Sequence, residues 1–141
     1  MKFIKEALKI AEKSGKDLPV GAVIVKDGKI LSKAHNKKEL KNDVTAHAEI
    51  LAIRSAQRKL KTRFLKDCEI YVTLEPCPMC AWAILNAGIS KVYFGAYDTM
   101  YGALGTATDL RKFLHSKTVV IGGIQEEECS KLLKNYFREI R

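Results

Sequence analysis

Two short runs carry side chains that could do chemistry together: His47-Ala48-Glu49, and Pro76-Cys77-Pro78-Met79-Cys80 about thirty residues later. An imidazole and two thiols are the ligands a zinc ion prefers, and a catalytic zinc site uses three protein ligands and keeps a fourth position open. His47, Cys77 and Cys80 supply three. Glu49 is then left over as a carboxylate able to move protons. Cys77 and Cys80 stand three residues apart at the predicted start of a helix, so both sulfurs can face one point. The positive potential of a helix N-terminus favours the thiolate form that ligation needs. On a regular helix residues i and i+2 lie about 200° apart, so His47 and Glu49 are expected at a helix entrance, with His47 on its edge and Glu49 in its first turn.

Other uses of these residues are weaker. A structural zinc site wants a fourth Cys or His at short spacing, and none lies near. A redox Cys-x-x-Cys would follow the first strand of a thioredoxin-like unit, whereas this pair follows the third predicted strand. The joint pattern, with Pro76 in place, matches the H-x-E…P-C-x-x-C signature of the zinc-dependent nucleobase deaminases. Zinc lowers the pKa of a bound water to about 7. Glu49 would take a proton from that water and deliver protons to the ring nitrogen and the departing ammonia.

The elements that must position these groups are visible as periodicities. Phe3, Ile4, Ala7, Leu8 and Ala11 make one face of a first helix over residues 2–14, closed by Gly15. Residues 19–25 and 30–36 predict two strands joined by a tight turn at Lys26-Asp27-Gly28-Lys29. A helix follows over 46–59, with Thr45 as its expected cap. Residues 69–74 form a strand, 78–87 a helix opened by Pro78 and stopped by Gly88, and 91–95 another strand. The glycine- and threonine-rich stretch 97–109 is expected as a loop near the site, followed by a short helix at 110–114 and a last strand at 118–122. Cys129, Leu132, Leu133, Tyr136, Phe137 and Ile140 form the clearest helical stripe, and Tyr136 and Phe137 are expected to fill the core. This order predicts an α/β protein, a central five-stranded sheet flanked by helices, in a single domain over 1–141.

Composition agrees with that size. The chain has 141 residues, 47% hydrophobic and 29% charged, and no apolar run long enough to span a bilayer. The amphipathic start lacks the apolar core of a signal peptide, which places the protein in the cytoplasm, without membrane association. Four cysteines are too few for a disulfide scaffold, and Cys68 and Cys129 fall in apolar patterns as buried structural residues. A net charge of +9 points to a polyanionic partner, although the surplus is mostly lysine, which also serves simply to solvate a surface.

Beyond the zinc motif the chain closely resembles the bacterial tRNA adenosine deaminases, the TadA family. The shared blocks are Pro19-Val20-Gly21-Ala22-Val23, Thr45 to Ile50, Thr73 to Cys77, Val92-Tyr93-Phe94-Gly95-Ala96 and Gly102 to Thr106, with the ending Cys129 to Arg141 resembling that family's final helix. The resemblance implies a three-layer α/β/α cytidine-deaminase-like fold with a mixed sheet, and a homodimer with one Zn²⁺ per subunit. It also implies hydrolytic conversion of the wobble adenosine to inosine in a tRNA anticodon stem-loop, tRNA-Arg foremost. By the same resemblance Asn36 would hydrogen-bond the target base, supported by the Ala48 backbone, and Asp98 would lie beside the flipped nucleotide. Lys134, Arg138 and Arg141 would contact the RNA backbone.

Two departures stand out. Trp82 occupies a position where the family commonly has Gly, so packing beneath the metal is expected to adjust. Asp98-Thr99-Met100-Tyr101 replaces a more basic run. The alternative within the same chemistry is a free-base or nucleoside deaminase acting on guanine or cytosine, which needs no basic surface. An RNA-binding subunit without activity would not require Glu49.

Overall fold

The computed structural model describes residues 2–140. Helix α1 spans Lys2–Ala11 and runs into one 3₁₀ turn, Glu12–Ser14. Strands β1 (Gly21–Lys26) and β2 (Lys29–His35) form a hairpin. Its two central residues, Asp27 and Gly28, both have positive φ, 51° and 74°, as a two-residue type I′ turn requires. Helix α2 covers Ala48–Leu60, strand β3 Cys68–Leu74, helix α3 Pro78–Asn86 and strand β4 Lys91–Ala96. The short helix α4 (Arg111–Leu114), strand β5 (Val119–Ile121) and helix α5 (Glu126–Glu139) complete the order. Every element expected from the periodicities is present, with ends shifted by one or two residues, three at the close of α1.

The strands lie in the order β2-β1-β3-β4-β5, with β2, β1 and β3 antiparallel and β3, β4 and β5 parallel. The mixed sheet follows from the connections. A two-residue turn can only join antiparallel strands, while α3 provides the crossover that a parallel β3–β4 pair needs. Because strand side chains alternate between faces, β1 sends Ala22 and Ile24 to one side and Val23 and Val25 to the other. The first side packs against α2 and α3 through Ala52, Ile53, Ala56, Ala81 and Ile84. The second is covered by α1 through Ile4 and Ala7, and by α5 through Cys129. The result is a three-layer α/β/α arrangement.

Expectation and structure differ at three places. Thr45 does not cap α2: its N–H and hydroxyl both donate to Asp43 Oδ1, and His47 is the N-cap residue. Trp82 is 44% exposed on α3, so it faces out rather than packing beneath a metal. Phe137 is 51% exposed, and Tyr136 is half-buried with its hydroxyl donating to the Lys16 carbonyl. The helical stripe of α5 is real, yet only Cys129 within it is fully buried. Cys68 and Cys129 are both buried as expected.

Helix α5 can lie this close to β4 because Gly95 has no side chain. A Cβ there would overlap Cys129 Sγ and crowd the Thr73 carbonyl. Gly95→Ala is therefore expected to cost roughly 1–3 kcal/mol by overpacking, read as a lower urea midpoint at unchanged m-value. An unaltered midpoint would show that α5 is not seated on that contact.

Candidate functional site

The entrances of α2 and α3 meet on one side of the sheet. His47 is the extended residue before α2, with φ −74° and ψ 151°, and Cys77 holds the corresponding place before α3, with φ −72° and ψ 173°. The extended conformation at His47 removes the i, i+2 difficulty: the imidazole leaves the helix edge while Glu49 sits in the first turn. Pro78 opens α3 and needs no hydrogen bond there, and one turn of helix brings Cys80 beside Cys77. His47 Nδ1 lies 3.7 Å from Cys77 Sγ and 3.5 Å from Cys80 Sγ. The three ligand atoms all fall within 4.8 Å of one another.

The electrostatics of this trio suit a divalent cation. The Cys77 thiol is pulled down to about 4, chiefly by a hydrogen bond from the Cys80 thiol and further by His47. Cys80 is pushed far up by that same bond and by burial, so the pair shares one proton. The His47 imidazole is raised, first by its bond to Cys77. A soft dication meets one thiolate already formed and displaces the second proton, as zinc binding to thiols does. The donor set, two sulfurs and one nitrogen, is that of a catalytic zinc site. His47, Cys77 and Cys80 fit the ion.

Glu49 is 4% exposed, and burial raises its carboxyl from 4.5 to about 7. Together with His47 and Cys77 it borders a cavity of about 400 Å³, within the range of small-molecule sites; Cys80 lies buried behind them. Asn36, Ala48 and Asp98 line the same cavity. The Asn36 amide donates to the Leu18 carbonyl and its oxygen accepts the Lys38 N–H. An amide has two hydrogens and two lone pairs, so one donor and one acceptor position remain for a ligand. Ala48 is fully buried in the first turn of α2, where backbone N–H groups point outward. Lys134 and Arg138 stand on the exposed side of α5, one turn apart. They do not border the cavity, and Arg141 lies outside the described residues.

Glu75 is the functional residue that sequence reasoning passed over. Its side chain is 1% exposed, and its carboxylate accepts three backbone N–H groups, from Asp98, Leu104 and Thr106, at 3.1–3.2 Å. These bonds fix the loop that forms the far wall of the cavity. Gly102 presses against the same carboxylate so closely that a Cβ would collide with it. No short-range pattern marks Glu75, because its partners are backbone N–H groups 23 to 31 residues further along the chain. Asp17 acts similarly, accepting the Glu39 and Leu40 N–H groups at 2.7 and 3.2 Å. It ties down the loop after Asn36.

Comparison with known proteins gives a consistent result. Residues 1–96 match the model of the cytidine and deoxycytidylate deaminase zinc-binding region. A tRNA-specific adenosine deaminase of Bacillus subtilis is 44% identical over 99% of this chain and 89% of its own. A structure solved in work on A-to-I editing by tRNA:A34 deaminases superposes with a TM-score of 0.86 at 40% identity, covering 93% of this chain and 98% of that one. A guanine deaminase of Bacillus subtilis is 44% identical, but covers 67% of this chain and 62% of its own, with a TM-score of 0.65.

Two expectations follow. A carboxyl raised by burial contributes stability that is full below 4.5 and is lost as pH rises through about 7. In chelator-treated protein, Glu49→Gln is thus expected to match the parent in acid and to exceed it at about pH 8, by on the order of 3 kcal/mol at about 1.4 kcal/mol per unit. Equal urea midpoints at the higher pH would show that burial does not set this group. Glu75→Ala would strand three N–H groups at roughly 1–3 kcal/mol each. Hydrogen exchange at Asp98, Leu104 and Thr106 is expected to accelerate while zinc content holds. Unchanged protection would remove Glu75 from its role.

Proposed function

This chain belongs to the tRNA-specific adenosine deaminases, within the cytidine and deoxycytidylate deaminase family, and from that membership we propose that it converts the wobble adenosine of a tRNA anticodon loop to inosine. The observation that carries the chemistry is the convergence of His47, Cys77 and Cys80 beside a buried Glu49. When bound by that trio, zinc supplies Lewis-acid activation of water. Everything else falls to the chain. Glu49, with a carboxyl near 7, can accept a proton and return it at neutral pH, as a general acid–base must. It takes a proton from the attacking water, passes one to purine N1, and protonates the departing amine. The C6–N6 bond breaks, a C6–O6 bond forms, and water and adenosine become inosine and ammonia. The remaining amide donor and acceptor of Asn36 orient the base, and the first N–H groups of α2 around Ala48 add positive potential there.

The substrate reading is supported by charge. Lys131, Lys134 and Arg138 fall on one side of α5 at i, i+3 and i+7, suited to phosphates of a stem. The preferred RNA is the anticodon stem-loop of an arginine tRNA. The active form is a homodimer, one zinc per subunit. Met79 and Trp82, three apart on α3 and both exposed, offer apolar area for a second copy to cover. No helix of the described residues is long and apolar enough to cross a membrane.

Purified protein incubated with the stem-loop is expected to produce inosine, and Glu49→Ala to lose turnover by a factor of about 10² or more while retaining zinc. Ammonia release from free guanine or cytosine, without inosine in RNA, would overturn the substrate. Full activity in Glu49→Ala would overturn the proton shuttle.

A further inference from the structure

The loop after β4 places an aromatic ring in water at the border of the cavity. Asp98 Oδ1 accepts the N–H groups of Met100 and Tyr101 at 3.0 and 2.9 Å, and the Asp98 carbonyl accepts the Gly102 N–H at 3.0 Å. The Asp98 N–H in turn donates to Glu75 Oε1 at 3.2 Å, so the turn hangs from a buried carboxylate. Gly102 is held against that same carboxylate. Tyr101 therefore sits between two anchored residues. It lines the cavity, yet it is 60% exposed, and Met100 beside it is 71% exposed.

Packing does not account for this ring. Among the described residues Tyr101 pairs with no other aromatic side chain, whereas nearby Tyr97 is engaged edge-on with Phe94. Tyr101 also makes no side-chain hydrogen bond among the described residues, while Tyr136, which lines the same cavity, is tethered through its hydroxyl to Lys16. An unpaired aromatic ring carried on an anchored backbone turn, at the edge of a nucleotide-sized cavity, has a clear chemical match. When one nucleotide of an RNA loop enters such a cavity, the next base loses a stacking neighbour. Unstacked bases are recognised by aromatic planes, whatever their identity.

We infer that Tyr101 is the stacking platform for the nucleobase adjacent to the reacting adenosine, a contact that selects a looped RNA over a free nucleoside. This rests on the RNA-loop reading of the site. Tyr101 is a specificity-determining residue and takes no part in proton transfer. The phenol ring serves through its face, so its hydroxyl is dispensable.

The test compares wild type, Tyr101→Ala, Tyr101→Phe and Tyr101→Trp on the anticodon stem-loop, with inosine as the product. Tyr101→Ala is expected to raise KM by about tenfold, as loss of one stacked base does, with a much smaller change in kcat. Phe is expected to stay near wild type, and Trp to hold or lower KM. A stem-loop carrying 2-aminopurine next to the reacting adenosine is expected to fluoresce more weakly when bound to wild type than when bound to Tyr101→Ala. An unchanged KM in Tyr101→Ala, or an equal loss in Tyr101→Phe, would overturn the platform. Wild-type editing separates the two claims: with inosine formed and Tyr101→Ala unaffected, only the platform falls. With no inosine from wild type, the substrate reading falls and takes the platform with it.

Discussion

One imidazole nitrogen and two sulfurs must converge within 4.8 Å, and most of the architecture serves that distance. The ligands come from the entrances of two helices thirty residues apart in sequence, and the entrances can meet only if α2 and α3 lie on the same face of one sheet. The alternation of β1 and β3 provides that face. Ala52, Ala56 and Ala81, all fully buried, let the helices approach the sheet closely. A helix entrance is also where a metal ligand costs least, because its unpaired N–H groups stabilise thiolate. Of the three groups Cys80 is buried while His47 and Cys77 are half-buried, which leaves one side of the centre open toward the cavity.

The cavity beside this centre is held by carboxylates that never touch the metal. Glu75 gathers three N–H groups of the loop after β4, and Asp17 gathers two from the loop after β2. Both are almost fully buried, so each bond is strong and each loss costly. Loops built this way behave as rigid walls, which is what orientation of a base requires. It also explains how Asn36, Asp98 and Tyr101, all on connections rather than regular elements, can share one geometry.

Legibility from the sequence followed the range of the forces involved. The helices and strands were readable because burial imposes a period on neighbouring residues. The metal trio was readable because zinc dictates residue types and one short spacing. Cys68 and Cys129 sat in apolar patterns and proved to be core. Glu75 was not readable, since its partners lie twenty-three to thirty-one residues away and offer only backbone. Tyr136 and Phe137 were misjudged because a helical stripe says which residues share a face, not how far the sheet beneath that face extends. Cys129 is buried against β4 and Leu133 packs partly buried on the same cluster; beyond them Tyr136 borders the cavity and Phe137 faces solvent. Trp82 departs for the converse reason: it stands two residues after Cys80, about 200° round the helix and so on the opposite face.

The account stands or falls on a zinc centre with three protein ligands and one open position, since a closed site would be structural. X-ray absorption at the zinc edge of the purified protein reads this directly. Two sulfurs at about 2.3 Å and one imidazole nitrogen at about 2.0 Å, with a single further light atom, is the expected shell. Three or four sulfurs, or protein isolated with intact fold and no affinity for zinc, would contradict it.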